Sequence, residues 1–509
     1  MRIINVLRNS MYSIFSYVLI AVLGIVVRKF FVQYLQIELL GLEGLFSNIV
    51  SLLSLAEMGI ATVISYGLYR EFANHNKAEI NILMNIYRYI YTIIGIVIFI
   101  VSLILFFFLP FIIRENTVSW FYIQVVYVIQ IGAVLSSYFL AYKRTLFAAD
   151  QKDYICIKID IICSLMSNIF KLIAIIVFQN YLMYAVTSLF FNILANLIIS
   201  HKVEKSYSFL HSVKVTLQDL RDRKFFKDVK NFLVHKISYI VYSGTDAIVI
   251  SILLGLRMSG LFSNYVLINT GIYSLLYKAL QGIIPSIGNL VYTDDLEKSY
   301  RIYRMLDLLY FFIGGYVCCI YALLLQPFMT MFFGGEFLLP DEYVIGLAIN
   351  IFLGMQFENA YNFRSTHGNF ENDRKYMIMS AIVKLFLSVV LVKYLGVVGV
   401  IIGTIGGLLF IIYGRIQFVF RIILKKSIAK YLMHHLCWSL IMFGEILVIK
   451  YIIEWLNFAI SYSGLLLQCL IIAILMAIFQ ITVFYRTEEF KDILGYIENI
   501  KAMLKKKFG

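Results

Sequence analysis

Proline is scarce in this chain, with four among 509 residues. Proline removes a backbone donor and punctuates turns. So few of them argue for long uninterrupted helices rather than a loop-rich fold. Charge is scarce too, at 15% of residues against 61% hydrophobic. Mean hydropathy is +0.85. A soluble globule cannot bury so much apolar surface, so this is the composition of a polytopic membrane protein. The alternating pattern of a membrane β-barrel is missing, and the apolar runs far exceed the roughly 10 residues of a barrel strand.

Catalytic and metal-binding signals are also missing. The six cysteines (Cys156, Cys163, Cys318, Cys319, Cys437, Cys469) lie within or at the edge of apolar segments, without metal-ligand spacing. Free, buried thiols and no disulfide are expected. His75, His201, His211, His367 and His235 fall in or beside predicted cytoplasmic segments, and His434-His435 near a helix start. No phosphate-binding glycine loop occurs, so ATP hydrolysis is not expected. The chain reads as a non-enzyme with no cofactor and no metal. Acidic residues are outnumbered, 30 to 44, leaving a net charge of +14. In a membrane protein such cations set topology and face anionic headgroups, so nucleic acid is not an expected partner.

A spanning helix needs about 20 apolar residues. The expected spans are 10–34, 39–69, 83–111, 118–142, 154–178, 181–200, 235–256, 260–290, 304–332, 340–363, 377–393, 396–420, 431–454 and 461–485. The expected fold is an all-α polytopic membrane protein with about fourteen transmembrane helices. Arg2 and Arg8 precede the first run, which lacks a small-residue cleavage site and is read as a retained helix. With the N-terminus in the cytoplasm, about 35 of the 44 cations fall on the cytoplasmic side. Both termini are then expected to be cytoplasmic. Trp120 and Trp455 fall at outer boundaries and Trp438 near an inner one, as interfacial belt residues would.

The sequence also repeats itself. Gly44-Leu45-Phe46-Ser47-Asn48 returns unchanged as Gly260-Leu261-Phe262-Ser263-Asn264. Ile86-Tyr87-Arg88 returns as Ile302-Tyr303-Arg304, and Phe147, Asp150 and Tyr154 are echoed by Phe370, Asp373 and Tyr376. Ordered matches at a near-constant offset point to an internal duplication. Two six-helix lobes related by a parallel pseudo-twofold axis are expected, with a substrate held between them. The expected boundaries are 1–200 for the N-lobe, 201–234 for a cytoplasmic linker and 235–430 for the C-lobe. Two extra C-terminal helices fill 431–485 and a tail 486–509. The linker interleaves Leu217, Leu220, Val229, Phe232 and Leu233 with Arg221, Arg223, Lys224, Lys227 and Lys230, as an interfacial amphipathic helix does.

Charges inside predicted spans are the best guide to function, because each costs about 2.5–3.5 kcal/mol at the bilayer centre on insertion scales. Lys278 shares a helical face with Asn264, Gly271, Ser274, Gln281, Pro285 and Asn289. Such a stripe lines water or a polar substrate, or else houses an internally paired lysine. Arg28 and Lys29 lie in the outer third of the first span, aimed at a phosphate or snorkelling to the headgroups. Lys171, near an outer end, reads as snorkelling. Ser47, Ser51, Ser54 and Glu57 share a face of the second span, and Ser243-Gly244-Thr245-Asp246 lies at mid-membrane in the seventh. Glu57 and Asp246 are candidates for balancing the cations, for binding H⁺ or Na⁺, or for structural pairing. Glu358, Asn359, Asn362 and Arg364 form a polar cluster at an inner end, with Arg364 expected at the interface.

Three runs carry a resemblance: Asn231 to Ile237, Thr245 to Ser251 and Gly260 to Tyr265. They are similar to the helix 7–8 region of bacterial polysaccharide repeat-unit flippases, the Wzx-type transporters. Ser54 to Ile60 with Gly67-Leu68-Tyr69 resembles their helix 2. Arg28, then Tyr34-Leu35-Gln36 and Gly41, resembles the end of helix 1, with Gln36 where a glycine is usual. That family belongs to the multidrug, oligosaccharidyl-lipid and polysaccharide exporter superfamily. The resemblance implies a flippase moving undecaprenyl-pyrophosphate-linked oligosaccharide from the inner to the outer leaflet of a bacterial cytoplasmic membrane. Membrane lipids, a glycan polymerase and glycosyltransferases are the partners it implies. In related lipid II flippases, cations on helices 1 and 8 meet the pyrophosphate. Arg28 and Lys278 resemble those cations by position, and Lys278 is a lysine where the relative has arginine. Lys29, Asn264, Ser274, Gln281 and Arg364 complete the candidate substrate-binding set; Glu57, Asp246 and Glu358 are the coupling or charge-balancing set. A multidrug exporter of the same fold is an alternative, and a membrane glycan polymerase a weaker one, since the outer loops are short.

Overall fold

The computed structural model describes residues 2–53, 60–113, 118–213, 242, 244–280, 296–366, 374–458, 461–496 and 498. These are helical almost throughout, and among them no strand occurs. The helices are α1 (Arg2–Tyr34), α2 (Ile37–Leu53), α3 (Ile60–Ala73), α4 (Lys77–Ile112), α5 (Trp120–Leu140), α6 (Arg144–Ala149), α7 (Tyr154–Ile176) and α8 (Tyr181–Ser206). Then come α9 (Asp246–Leu280), α10 (Leu296–Phe333), α11 (Asp341–Gln356), α12 (Glu358–Thr366), α13 (Arg374–Leu395), α14 (Val397–Phe418), α15 (Ile428–Leu456) and α16 (Tyr462–Phe484). Ten helices among the described residues are long and apolar enough to cross a membrane. The protein is an all-α, multi-pass membrane protein.

The helices are long: α4 runs 36 residues and α10 runs 38, and each accommodates a proline toward its C-terminal end, Pro110 and Pro327. Several extend past the expected spans, because hydropathy marks only the apolar part of a helix. α8 continues from the expected end at 200 to Ser206 through His201, Lys202, Glu204 and Lys205. Side-chain caps fix the starts. Asn76 accepts from the Glu79 amide, Asn180 from Met183 and Ser461 from Gly464. Gly255 divides α9, with φ 87° and ψ 170°, a conformation that a Cβ makes costly. The sequence places a break there, between spans 235–256 and 260–290. The expected span 340–363 divides instead, at Phe357 (φ −104°, ψ 9°). Its second part, α12, collects Glu358, Asn359, Asn362 and Arg364. The amphipathic run from Leu217 to Leu233 lies outside the described residues, as does His367.

The chain forms two compact units, residues 1–271 and 272–509. In the first, α7 packs on α1 and α8, α5 on α4 and α8, and α3 on α4. Its core runs from Ile64 and Leu68 through Tyr87 and Tyr91 to Phe147, Cys156 and Ile199. Its tightest joint brings α2 against α9. A Cβ on Gly41 would stand 2.0 Å from the Leu256 carbonyl oxygen, and one on Gly260 would stand 2.2 Å from that of Ile37. Only glycine permits this approach, the small-residue packing that membrane helices use where no hydrophobic drive exists. In the second unit, α10 packs on α11, α13 on α14, and α16 on α10 and α15. Tyr303, Tyr310, Phe363, Ile416 and Phe420 centre its core.

Two expectations about single side chains need correction. Cys156, Cys163, Cys318 and Cys319 are buried, but Cys437 is exposed and Cys469 half-buried, since both sit on outward faces of the C-terminal helices. Trp438 is 5% exposed, so it is not a belt residue. It packs against Phe311, His434, His435 and Phe484. Trp455 is 75% exposed, as a belt residue should be.

Candidate functional site

Two cations, one carboxylate and two hydroxyl groups of unit 1 gather at one level. Arg28 and Lys171 lie near the C-terminal ends of α1 and α7, Glu43 and Tyr184 near the starts of α2 and α8. Ser263 follows the Gly255 break. At 1.5 Å of rise per residue all five stand about 5–12 Å inside the same end of the unit.

Side-chain geometry joins them. Arg28 Nη1 donates to Ser263 Oγ at 3.3 Å, and Ser263 Oγ donates to the Gly260 carbonyl at 2.8 Å. The Tyr184 hydroxyl donates to Glu43 Oε1 at 3.2 Å. Lys171 Nζ stands 4.9 Å from the Tyr184 ring centre, a cation–π contact. The charges of Glu43 and Arg28 both act on Lys171. Lys171 is therefore part of a cluster, not a lone snorkelling lysine. Phe31 meets Tyr181 and Tyr184 edge-on at 5.6 and 5.3 Å, and the two tyrosines stack at 5.6 Å. This apolar wall fixes both rings and lowers the local dielectric, which strengthens each charge. Beyond Tyr181, an open cleft of 350 Å³ is lined by Tyr34, Gln36, Ser119, Tyr122 and Gln179.

Two cations against one carboxylate leave a net positive group. Arg28 uses one of its five N–H donors on Ser263 among the described residues. Glu43 Oε2 is buried with no hydrogen-bond partner among them. Beside Ser263, Asn264 is fully buried, and neither end of its amide is satisfied among them. The group offers cationic donors on Arg28 and Lys171 and one open carboxylate oxygen on Glu43.

The other predicted residues fall elsewhere. Lys29 is half-buried on α1 and makes an interaction of its own. Asp246 starts α9, half-buried and engaged. Ser274 is half-buried on α9. Lys278 lies on the same helix, and its side chain is outside what is described. Ser54, Glu57, Gln281, Pro285, Asn289 and Ser243 lie outside the described residues. In unit 2, α12 carries Glu358, Asn359, Asn362 and Arg364. Asn359 donates to the Tyr303 carbonyl at 2.9 Å and Asn362 to the Tyr310 hydroxyl at 2.8 Å. Glu358 instead lies in the field of Arg415, whose guanidinium sits 4.6 Å over the Tyr361 ring. Arg364 is 3% exposed rather than interfacial, because α12 turns it inward.

Glu43 escaped notice in the sequence and Ser263 stood out only as part of the repeat, although the depth argument that selected Arg28 applies to Glu43 equally. The short charged turn before α7 has its own electrostatics. Burial pushes the Asp153 carboxyl above its ordinary range, partly opposed by Arg144.

No family model and no curated protein matches the sequence. Solved structures do match in fold. The lipid II flippase MurJ in an inward closed conformation superposes with a TM-score of 0.66 at 14% identity, covering 94% of this chain and 98% of that one. An inward-facing multidrug resistance MATE family transporter of the MOP superfamily gives 0.58 at 16% identity, over 79% of this chain and 94% of that one. Its outward-facing counterpart gives 0.54 at 15%, over 82% and 95%. The chain therefore has the fold of these structures, over nearly its whole length for the lipid II flippase and about four fifths of it for the MATE transporters.

Proposed function

We propose that this protein is a flippase for a lipid-linked oligosaccharide. It carries undecaprenyl-pyrophosphate-linked repeat units from the inner to the outer leaflet of a bacterial cytoplasmic membrane, for surface polysaccharide assembly. The observation that carries this reading is the net-positive Arg28, Lys171 and Glu43 group inside an apolar bundle. A pyrophosphate diester is dianionic and must cross about 30 Å of hydrocarbon. Guanidinium and ammonium groups replace the water it sheds, and guanidinium matches phosphate geometry. Alternating access between two lobes moves the headgroup, and both termini are cytoplasmic. Lys278 belongs to the same substrate path on the strength of its polar stripe. The likeness to a lipid II flippase supports the class of substrate.

A multidrug exporter is the second reading. The MATE likeness supports it, and so does the open valence of Glu43 Oε2, since carboxylates suit cationic drugs. Leaflet assay separates the two. Depleting the protein should trap complete lipid-linked repeat units on the cytoplasmic leaflet and remove polymer from the surface. An exporter defect would leave the glycan intact and raise drug sensitivity. Appearance of the units outside at the normal rate, with no second flippase present, rules out the proposal.

A further inference from the structure

Within unit 2, α10, α11 and α15 enclose a second polar centre that the proposed substrate path does not use. Asp307 Oδ2 lies 2.6 Å from His435 Nε2. The Tyr431 hydroxyl donates to Asp307 Oδ1 at 3.2 Å, and the Tyr303 hydroxyl donates to Tyr431 at 3.1 Å. On the other edge of the ring, Gln356 Nε2 lies 2.6 Å from His435 Nδ1. All five side chains are buried. Phe357, Tyr431 and Trp438 surround the imidazole at 5.1, 4.2 and 5.1 Å between ring centres.

The geometry accommodates two charge states. In the neutral state, His435 Nε2–H donates to Asp307, and Nδ1 accepts from the Gln356 amide. The Gln356 oxygen is then buried with no partner among the described residues, and a buried carbonyl oxygen without a donor is costly. A proton added at Nδ1 changes the requirement. A half-turn of the Gln356 amide brings its oxygen to the new N–H. The imidazolium then donates from both nitrogens, to a carboxylate on one side and an amide oxygen on the other. The turn gives the Gln356 oxygen a donor and moves the amide N–H groups to the place the oxygen held, and Asp307 neutralises the added charge.

The charged and titratable neighbours do not offer a better acceptor. α10 brings Tyr303, Arg304 and Asp307; α15 brings Tyr431 and His434. Arg304 is paired with Glu489 from the helical segment 488–496. At the start of α12, Glu358 has Arg415 as its charged neighbour. α11 contributes the uncharged Gln356, and α16 the ring of Phe484 against Trp438.

We propose that Asp307, His435 and Gln356 form a reversible proton-binding site in unit 2, with His435 Nδ1 as the atom that takes the proton. A bound proton ties α15 more tightly to α10 and α11. Its use in driving export rests on the flippase reading; the binding of the proton does not.

Trp438 reports the site directly, because an adjacent imidazolium quenches indole emission far more than neutral imidazole does. Of the three tryptophans, Trp120→Phe and Trp455→Phe leave Trp438 alone. In that full-length protein in lipid nanodiscs, emission should fall about twofold, reversibly and in one step, as the pH is lowered. His435→Gln should abolish the step, and His434→Gln should keep it. Asp307→Asn should move the midpoint to lower pH, through loss of the stabilising carboxylate. Should that variant fail to fold, Gln356→Glu should move the midpoint to higher pH. Flat emission in the parent, or a step that survives His435→Gln, overturns the proposal. The titration needs no transport, so its outcome is independent of the substrate assignment.

Discussion

Arg28 donates a hydrogen bond to Ser263 across 235 positions of sequence, and the two lie at one depth within unit 1. That single contact places the first helix of the chain beside the helix that carries the polar stripe toward Lys278. It makes Arg28 the residue whose loss should tell most about the path.

Arg28→Ala should cut surface polymer at least about tenfold at native protein level, with Arg28→Lys recovering part of it. Ser263→Ala should have a small effect, since it removes one orienting bond and leaves the charge. Surface polysaccharide quantified beside membrane abundance checks this. Full export by the alanine variant would remove Arg28 from the substrate path.

Lys278→Ala should abolish export while leaving the protein in the membrane, and Lys278→Arg should retain part of it. The same pair of measurements applies. Normal export from Lys278→Ala would mean that the stripe of Asn264, Ser274 and Gln281 serves packing only.

The reciprocal glycines predict a sharp steric asymmetry. Gly41→Ala or Gly260→Ala drives a methyl into a backbone carbonyl and should cost about 1–3 kcal/mol or more. Gly271→Ala meets nothing within 4 Å and should be neutral or slightly stabilising. Thermal unfolding in nanodiscs distinguishes them. Equal melting of all three would mean that the α2–α9 joint is looser than described.

Asp153 gives a pH-dependent prediction. Burial raises its folded pKa, so protonation favours the folded state, and that contribution is lost as pH rises through the folded value. Asp153→Asn should therefore raise the melting temperature at pH 7–8, by about 1–3 °C. The advantage should shrink as the pH falls toward the carboxylate range. A constant advantage at every pH would point to packing instead of charge.

Orientation is tested with single cysteines in a cysteine-free background. Asp341→Cys should react with an impermeant thiol reagent added outside intact cells, and Glu297→Cys should not. The reverse pattern would invert the topology.

Much of this fold could be read from apolar runs, because membrane helices must satisfy their own backbone. The break at Gly255 showed as an interruption in hydropathy. The break at Phe357 did not, because it is a change of backbone angle at a phenylalanine, and the polar Glu358 and Asn359 beside it read as a functional cluster inside one span. The site was only partly legible. Arg28 stood out as a charge at depth, but its partner Ser263 and the nearby Glu43 and Lys171 lie on other helices. Which helix faces which is decided by packing, and here by Gly41 and Gly260. His435 gave no signal at all. A histidine near a helix start looks interfacial until Asp307 and Gln356 are seen around it. Trp438 misled for the same reason: the amphipathic ring that suits a headgroup also suits a buried polar centre.

The joint between Gly41 and Gly260 also sets a timetable for synthesis. The first two helices leave the ribosome long before the segment that completes them. At translation rates of about 5–20 residues per second, the 235 residues from Arg28 to Ser263 take roughly 10–50 s. Throughout that interval Arg28 sits in the bilayer without Ser263, and the groove at Gly41 stands open to lipid. Unit 1 therefore cannot finish as a conventional N-terminal module that folds before the rest arrives. Its completion waits on α9, which begins only at Asp246, and a nascent chain stalled anywhere before residue 260 should remain a substrate for membrane quality control.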